Sequence, residues 1–198
     1  MMNRRNALKK TALIASSAMA VPSLFSLLQS CKEQNRLEWT PLFLNEEQAR
    51  FISAFVDTLL PKTETPGALE VKTDIFLDLV FAKTYNAAVQ EKLRADINKF
   101  NEDCNQSHGK VFAELDMDKR KALFRQLEVA SPKYNPKVWG SAVGDQAPVG
   151  FYRSLKSMTL WGYFTSEEIG LNHLNYDPVP GEYRGCVPLS EIGKTWSL

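Results

Sequence analysis

The residues of this 198-residue chain best suited to chemistry are its two histidines and three cysteines, and four of these five lie beyond residue 100. Cys104 and His108 stand four apart, so one helical face presents both, and with His173 and Cys186 they make up a tetrahedral nitrogen–sulfur set of the kind zinc takes. Pro178 and Pro180 separate His173 from Cys186, and nothing local forces that pair together. A second chemistry is oxidative. A Cys104–Cys186 disulfide would staple the tail to the core and contribute about 2–4 kcal/mol by constraining the unfolded chain. A third reading leaves both as free thiols packed like small apolar residues. The disulfide stands first among the three and zinc last.

Other chemistry is scarce. There is no Gly-rich dinucleotide loop, phosphate loop, nucleophile elbow or Cys-x-x-Cys-His haem motif. Glu46, Glu47, Glu167 and Glu168 fall in first turns of expected helices, where the helix dipole favours negative charge. Adjacent helical residues point in different directions, so these are caps and solvated groups rather than acid–base pairs. The residues themselves suggest neither a catalytic centre nor a cofactor site on this chain.

The elements that position these side chains read as helices. Asn45 caps the first, with Gln48 three residues on and Phe51, Ile52, Phe55, Val56, Leu59 and Leu60 on one face, and Pro61 stops it. Residues 62–70 form a loop through Thr65, Pro66 and Gly67. Thr73 caps the next helix, whose stripe is Ile75, Phe76, Leu79 and Val80. A longer helix runs over 86–104 through Val89, Leu93, Ile97 and Phe100, with Gly109 beyond its end. Asp116 caps a fourth, carrying Ala122, Leu123, Phe124 and Leu127. Residues 132–148 are a Gly-, Pro- and Ser-rich loop, long enough to suggest a role in binding, and 149–163 resume as an apolar, aromatic helix. Sustained two-residue alternation is missing. The fold class is all-α: an irregular helical bundle with a long Pro/Gly-rich C-terminal strap.

The N-terminus reads as an address. Arg4, Arg5, Lys9 and Lys10 precede an apolar run over 12–28 that is short for a membrane span of about 20 residues. Residues 1–30 therefore form an export signal, with Arg4 and Arg5 in a twin-arginine-like arrangement. Leu28, Gln29, Ser30 and Cys31 resemble a bacterial lipobox, which makes Cys31 the lipidated first residue of an exported, periplasmic, membrane-anchored protein. Residues 31–44 are a tether, and 45–198 a single helical domain. The signal holds four of the 24 basic residues and none of the 23 acids, so the remainder is weakly acidic and carries no footprint for nucleic acid.

The tail is the most distinctive stretch. Pro178, Pro180, Pro188, Gly181 and Gly185 exclude a regular helix or central strand over 176–189, yet Tyr176, Val179, Tyr183, Val187 and Leu189 are too apolar for a solvated linker. An extended strap pinned by aromatics fits both facts. Trp139, Trp161, Tyr176 and Tyr183 are the candidate partner-binding anchors, since Trp and Tyr dominate interface hot spots.

Three stretches together resemble the gluconate 2-dehydrogenase subunit 3 family. These are Asp57, Pro61, Pro66, Gly67 and Ala68 near the start; Phe100, Cys104, Gly109, Phe112 and Leu115 in the middle; and the 160–189 tail. The resemblance implies a non-catalytic accessory subunit that carries no cofactor and assists maturation or export of a partner. That partner is a large FAD-bearing flavoprotein of the glucose–methanol–choline class, often joined by a cytochrome c subunit. A lipid on this chain adds membrane tethering. The alternative is an independent lipoprotein that binds metal through Cys104, His108, His173 and Cys186.

Overall fold

The first helix starts where its capping box places it. In the computed structural model, Asn45 Oδ1 accepts the Gln48 N–H at 2.8 Å and the Asn45 N–H donates to Gln48 Oε1 at 3.3 Å, which opens α1 (Glu46–Leu59). The structure describes residues 39–132, 149–177, 179, 181–182 and 184–197. Arg4, Arg5, Cys31, Trp139 and Tyr183, together with nearly all of the expected 132–148 loop, lie outside those residues. Helix α1 ends at Leu60, whose N–H still donates to Val56, and Pro61 follows with no N–H to give.

The turn after α1 is tightly determined. Leu60 accepts from the Ala68 N–H at 2.9 Å, Glu70 Oε2 accepts from the Gly67 N–H at 2.9 Å, and Lys62 pairs with Glu70. A Cβ on Gly67 would lie 2.6 Å from the Lys62 backbone nitrogen, so only glycine fits there.

Helix α2 (Thr73–Thr84) departs from its expected cap and face. Lys72, left-handed at φ 59°, holds the N-cap position, and Thr73 is the first helical residue, buried with its hydroxyl unpartnered. The buried face is Thr73, Asp74, Leu77, Asp78 and Phe81, whereas Leu79 of the expected stripe is exposed. The two carboxylates explain the rotation, because each is buried to meet specific donors. Asp74 Oδ2 accepts from the Ser53 hydroxyl at 2.6 Å. Asp78 accepts three consecutive backbone N–H groups, from Leu42 at 2.6 Å, Phe43 at 3.2 Å and Leu44 at 2.9 Å. Arg94 adds a hydrogen bond to the Phe43 carbonyl and lies over the Phe43 ring. Residues 42–44, assigned to the tether by sequence, are thereby held on the helical domain.

Asn86 caps α3 (Ala87–His108) by accepting from the Val89 N–H, and left-handed Gly109 closes it. Its buried face is Leu93, Ile97, Asn101 and Cys104, while Val89 is exposed. A 3₁₀ turn, Phe112–Glu114, leads to α4 (Met117–Ala130). Asp116 precedes α4 but caps no amide, pairing instead with Lys119, and Phe124 is the buried residue of that helix. Helix α5 (Phe151–Phe164) begins after Gly150, within two residues of the expected start. Arg153 ties it to α4 by donating to the Glu128 carboxylate and to the Glu128 carbonyl, both at 3.1 Å.

Helix α1 contacts α2, α3, the 3₁₀ turn and α4, and α5 packs chiefly on α2. The tail comprises a π-helical turn, Ile169–His173, and a short helix α6 (Leu189–Ile192), so the strap is not extended to its end. Among the described residues there is no strand, only an isolated parallel bridge from Asn175 to Trp196. No described helix is long and apolar enough to cross a membrane. The all-α expectation holds.

Asp78→Ala should lower unfolding stability by roughly 2–4 kcal/mol, because three amides facing a buried carboxylate lose their acceptor. Asp78→Asn keeps one acceptor oxygen and should lose less. Urea unfolding reads both, and a loss below about 0.5 kcal/mol for the alanine variant would show that water satisfies these amides.

Candidate docking surface

The four residues weighed for metal or disulfide chemistry do not assemble. Cys104 is buried on α3, His108 is exposed at the end of the same helix, His173 is half-buried on the π turn, and Cys186 is exposed on the strap. Both cysteines are free thiols in this structure, Cys104 facing the core and Cys186 solvent, so the expected Cys104–Cys186 pair is not joined in it. Among the described residues no three of His, Cys, Asp and Glu converge to hold a metal ion. Burial, with a smaller contribution from Asp103, pushes the Cys104 thiol up to about 11, so it stays protonated and unreactive near neutrality.

Charged groups near the C-terminal half are engaged in ties between elements. Glu128 accepts from Lys156 at 2.7 Å and from Arg153 at 3.1 Å, and these cations hold its carboxyl below the usual carboxylate range. Burial, followed by the Glu128 charge, pushes the neighbouring Tyr152 phenol up to about 12. A groove of about 550 Å³ lies between the 62–71 turn and the π turn. On its walls Lys62 pairs with Glu70, and His173 Nε2 lies 3.6 Å from the Glu168 carboxylate.

What the site exposes is aromatic and apolar. Trp161 is 48% exposed on α5 and its ring centroid lies 5.2 Å from that of Phe76 on α2. Gly162 permits that approach, since a Cβ there would meet the Phe76 ring at 2.7 Å. The next residue, Tyr163, is buried and donates its hydroxyl to the Pro66 carbonyl at 2.8 Å, fixing α5 to the 62–71 turn. Beyond the helix, Leu171, Tyr176, Val179, Leu189 and Trp196 are also exposed, Val179 and Leu189 by four-fifths or more. Of the four expected anchors, Trp161 and Tyr176 lie on the surface as anchors must.

Sequence reasoning missed Asp78, Gly162 and Asn175. Two signals were present: acids four apart in an otherwise apolar α2, and a glycine between Trp161 and Tyr163 in a helical run. Nothing local marks Asn175.

The fold and surface define an all-α domain with solvent-facing aromatics and a Pro/Gly-rich tail. The chain belongs to the gluconate 2-dehydrogenase subunit 3 family, whose model matches residues 46–181. Comparison with curated proteins returns no match, and comparison with solved structures returns none either.

Alkylation followed by peptide mapping should modify Cys186 quickly at pH 8 and Cys104 only as the fold opens. The raised Cys104 pKa sets the sign of its pH dependence. Its contribution to stability is complete below the ordinary thiol value of 9.0 and is lost as pH rises toward about 11. A Cys104–Cys186 peptide recovered under non-reducing conditions would restore the disulfide.

Proposed function

We propose that this chain is the non-catalytic small subunit of an exported, flavin-dependent sugar or polyol dehydrogenase complex. It docks on a large flavoprotein of the glucose–methanol–choline class and assists its maturation, export or membrane tethering. FAD resides on that partner and none on this chain, and a cytochrome c subunit completes the electron path. Membership in a family named for a dehydrogenase subunit supports the complex. The observation that carries the docking role is the set of aromatic side chains left outside the core, Trp161 and Tyr176 foremost.

Location follows the same reading. Arg4 and Arg5 direct folded export, and lipid on Cys31 holds the protein at the periplasmic face of a membrane, with acyl chains burying methylenes at about 0.8 kcal/mol each. Mass spectrometry of the mature N-terminus should find an acylated Cys31. An unmodified cysteine, or cleavage elsewhere, removes the lipid anchor.

Affinity capture of the tagged full chain from its native membrane should recover a flavoprotein. Trp161→Ala and Tyr176→Ala should each weaken that association by more than about 1 kcal/mol while the helical signal is unchanged. Recovery of no flavoprotein where one is expressed, or sugar oxidation by this chain alone with an artificial acceptor, would overturn the assignment.

A further inference from the structure

Asn175 stands where the π turn ends and the tail begins, and this one residue holds the far end of that tail. Its N–H donates to the Thr195 carbonyl at 2.8 Å, and its carbonyl accepts the Ser197 N–H at 2.8 Å. Its side-chain amide donates to the carbonyls of Ile192 at 2.6 Å and Lys194 at 2.8 Å. Both backbone groups and the side-chain nitrogen are thus committed to residues 192–197, across the bridge to Trp196.

Between the two ends of this clasp no described residue is buried; Val187 is half-buried and the others are exposed. Among its described residues the loop is therefore held by its neck rather than by a core of its own. We propose that Asn175 is a positioning residue that sets the strap in the form that docks on the flavoprotein, an inference that rests on the docking role argued above. Closing the neck removes conformational freedom from the loop before the partner arrives, so docking has less left to order. Asparagine suits the task because its short side chain aims two donors at two carbonyls. An ionised aspartate of the same shape offers those carbonyls only acceptors, and glutamine keeps the donors on a longer arm.

The test compares the full chain with Asn175→Asp and Asn175→Gln variants by amide hydrogen exchange and by capture of the flavoprotein. Asn175→Asp should speed exchange at the Ser197 amide by roughly tenfold or more, as expected when a pair of hydrogen bonds is lost. It should also weaken capture by about tenfold, the cost of ordering an opened strap. The thermal midpoint of the helical domain should stay in place, and Asn175→Gln should retain part of both properties. An aspartate variant that captures the flavoprotein as the parent does with the neck open, or whose neck stays closed, overturns the proposal. If the parent chain itself captures no flavoprotein, the docking reading falls and the role of Asn175 falls with it. The exchange measurement on the isolated protein still shows separately whether Asn175 closes the loop.

Discussion

Two phenylalanines one turn apart on α1 hold the helices to one another. Phe51 and Phe55 are fully buried, and their rings meet aromatics from nearly every other element of the core. Phe51 contacts Phe100 of α3 at 5.1 Å, Phe112 of the 3₁₀ turn at 5.4 Å and Phe151 of α5 at 6.1 Å. Phe55 contacts Phe124 of α4 at 4.7 Å, Tyr152 of α5 at 6.0 Å and Phe112 at 6.4 Å. Edge-on and offset aromatic pairs of this kind add about 0.5–1.5 kcal/mol beyond the area they bury. Losing either ring on α1 would loosen three contacts at once, so the surface features on α5 depend on residues far from them in sequence.

How much of this was legible in the sequence follows from the range of the interactions. The α1 capping box is local and was read from residues three apart, and Gly109 was placed beyond the end of α3; the Asn86 cap is equally local but was not read as one. The face of α2 was misread because periodicity counts only apolar residues. Asp74 and Asp78 are buried for the sake of donors on Ser53 and on residues 42–44, and those partners lie more than twenty residues away. The placement of the cysteines was out of reach for the same reason: spacing says nothing about whether two side chains face each other, and here Cys104 is buried and Cys186 exposed. The exposure of Tyr176 was legible because an aromatic in a Pro- and Gly-rich stretch rarely finds a core, whereas that of Trp161, inside a helix, depends on which face packs on α2.

The molecule holds its exposed aromatics in two different ways. Trp161 is supported from beneath: it rests on Phe76, the absence of a Cβ at Gly162 lets Phe76 approach, and the Tyr163 hydroxyl pins the helix to the Pro66 carbonyl. Such a side chain has little rotamer freedom left to lose on binding, which is how an exposed tryptophan becomes an efficient anchor. Among its described residues the strap shows no such support, while Asn175 hydrogen-bonds across its neck to residues 192–197.

That division bears on how the family relates to this chain. The matched region ends at residue 181, so it contains Asn175 but none of the carbonyls and amides at 192–197 that Asn175 engages. The helical core and the Trp161 support lie wholly inside the match, whereas closure of the strap depends on residues outside it. The Phe76–Trp161 support therefore lies within the part of the chain that the family model covers.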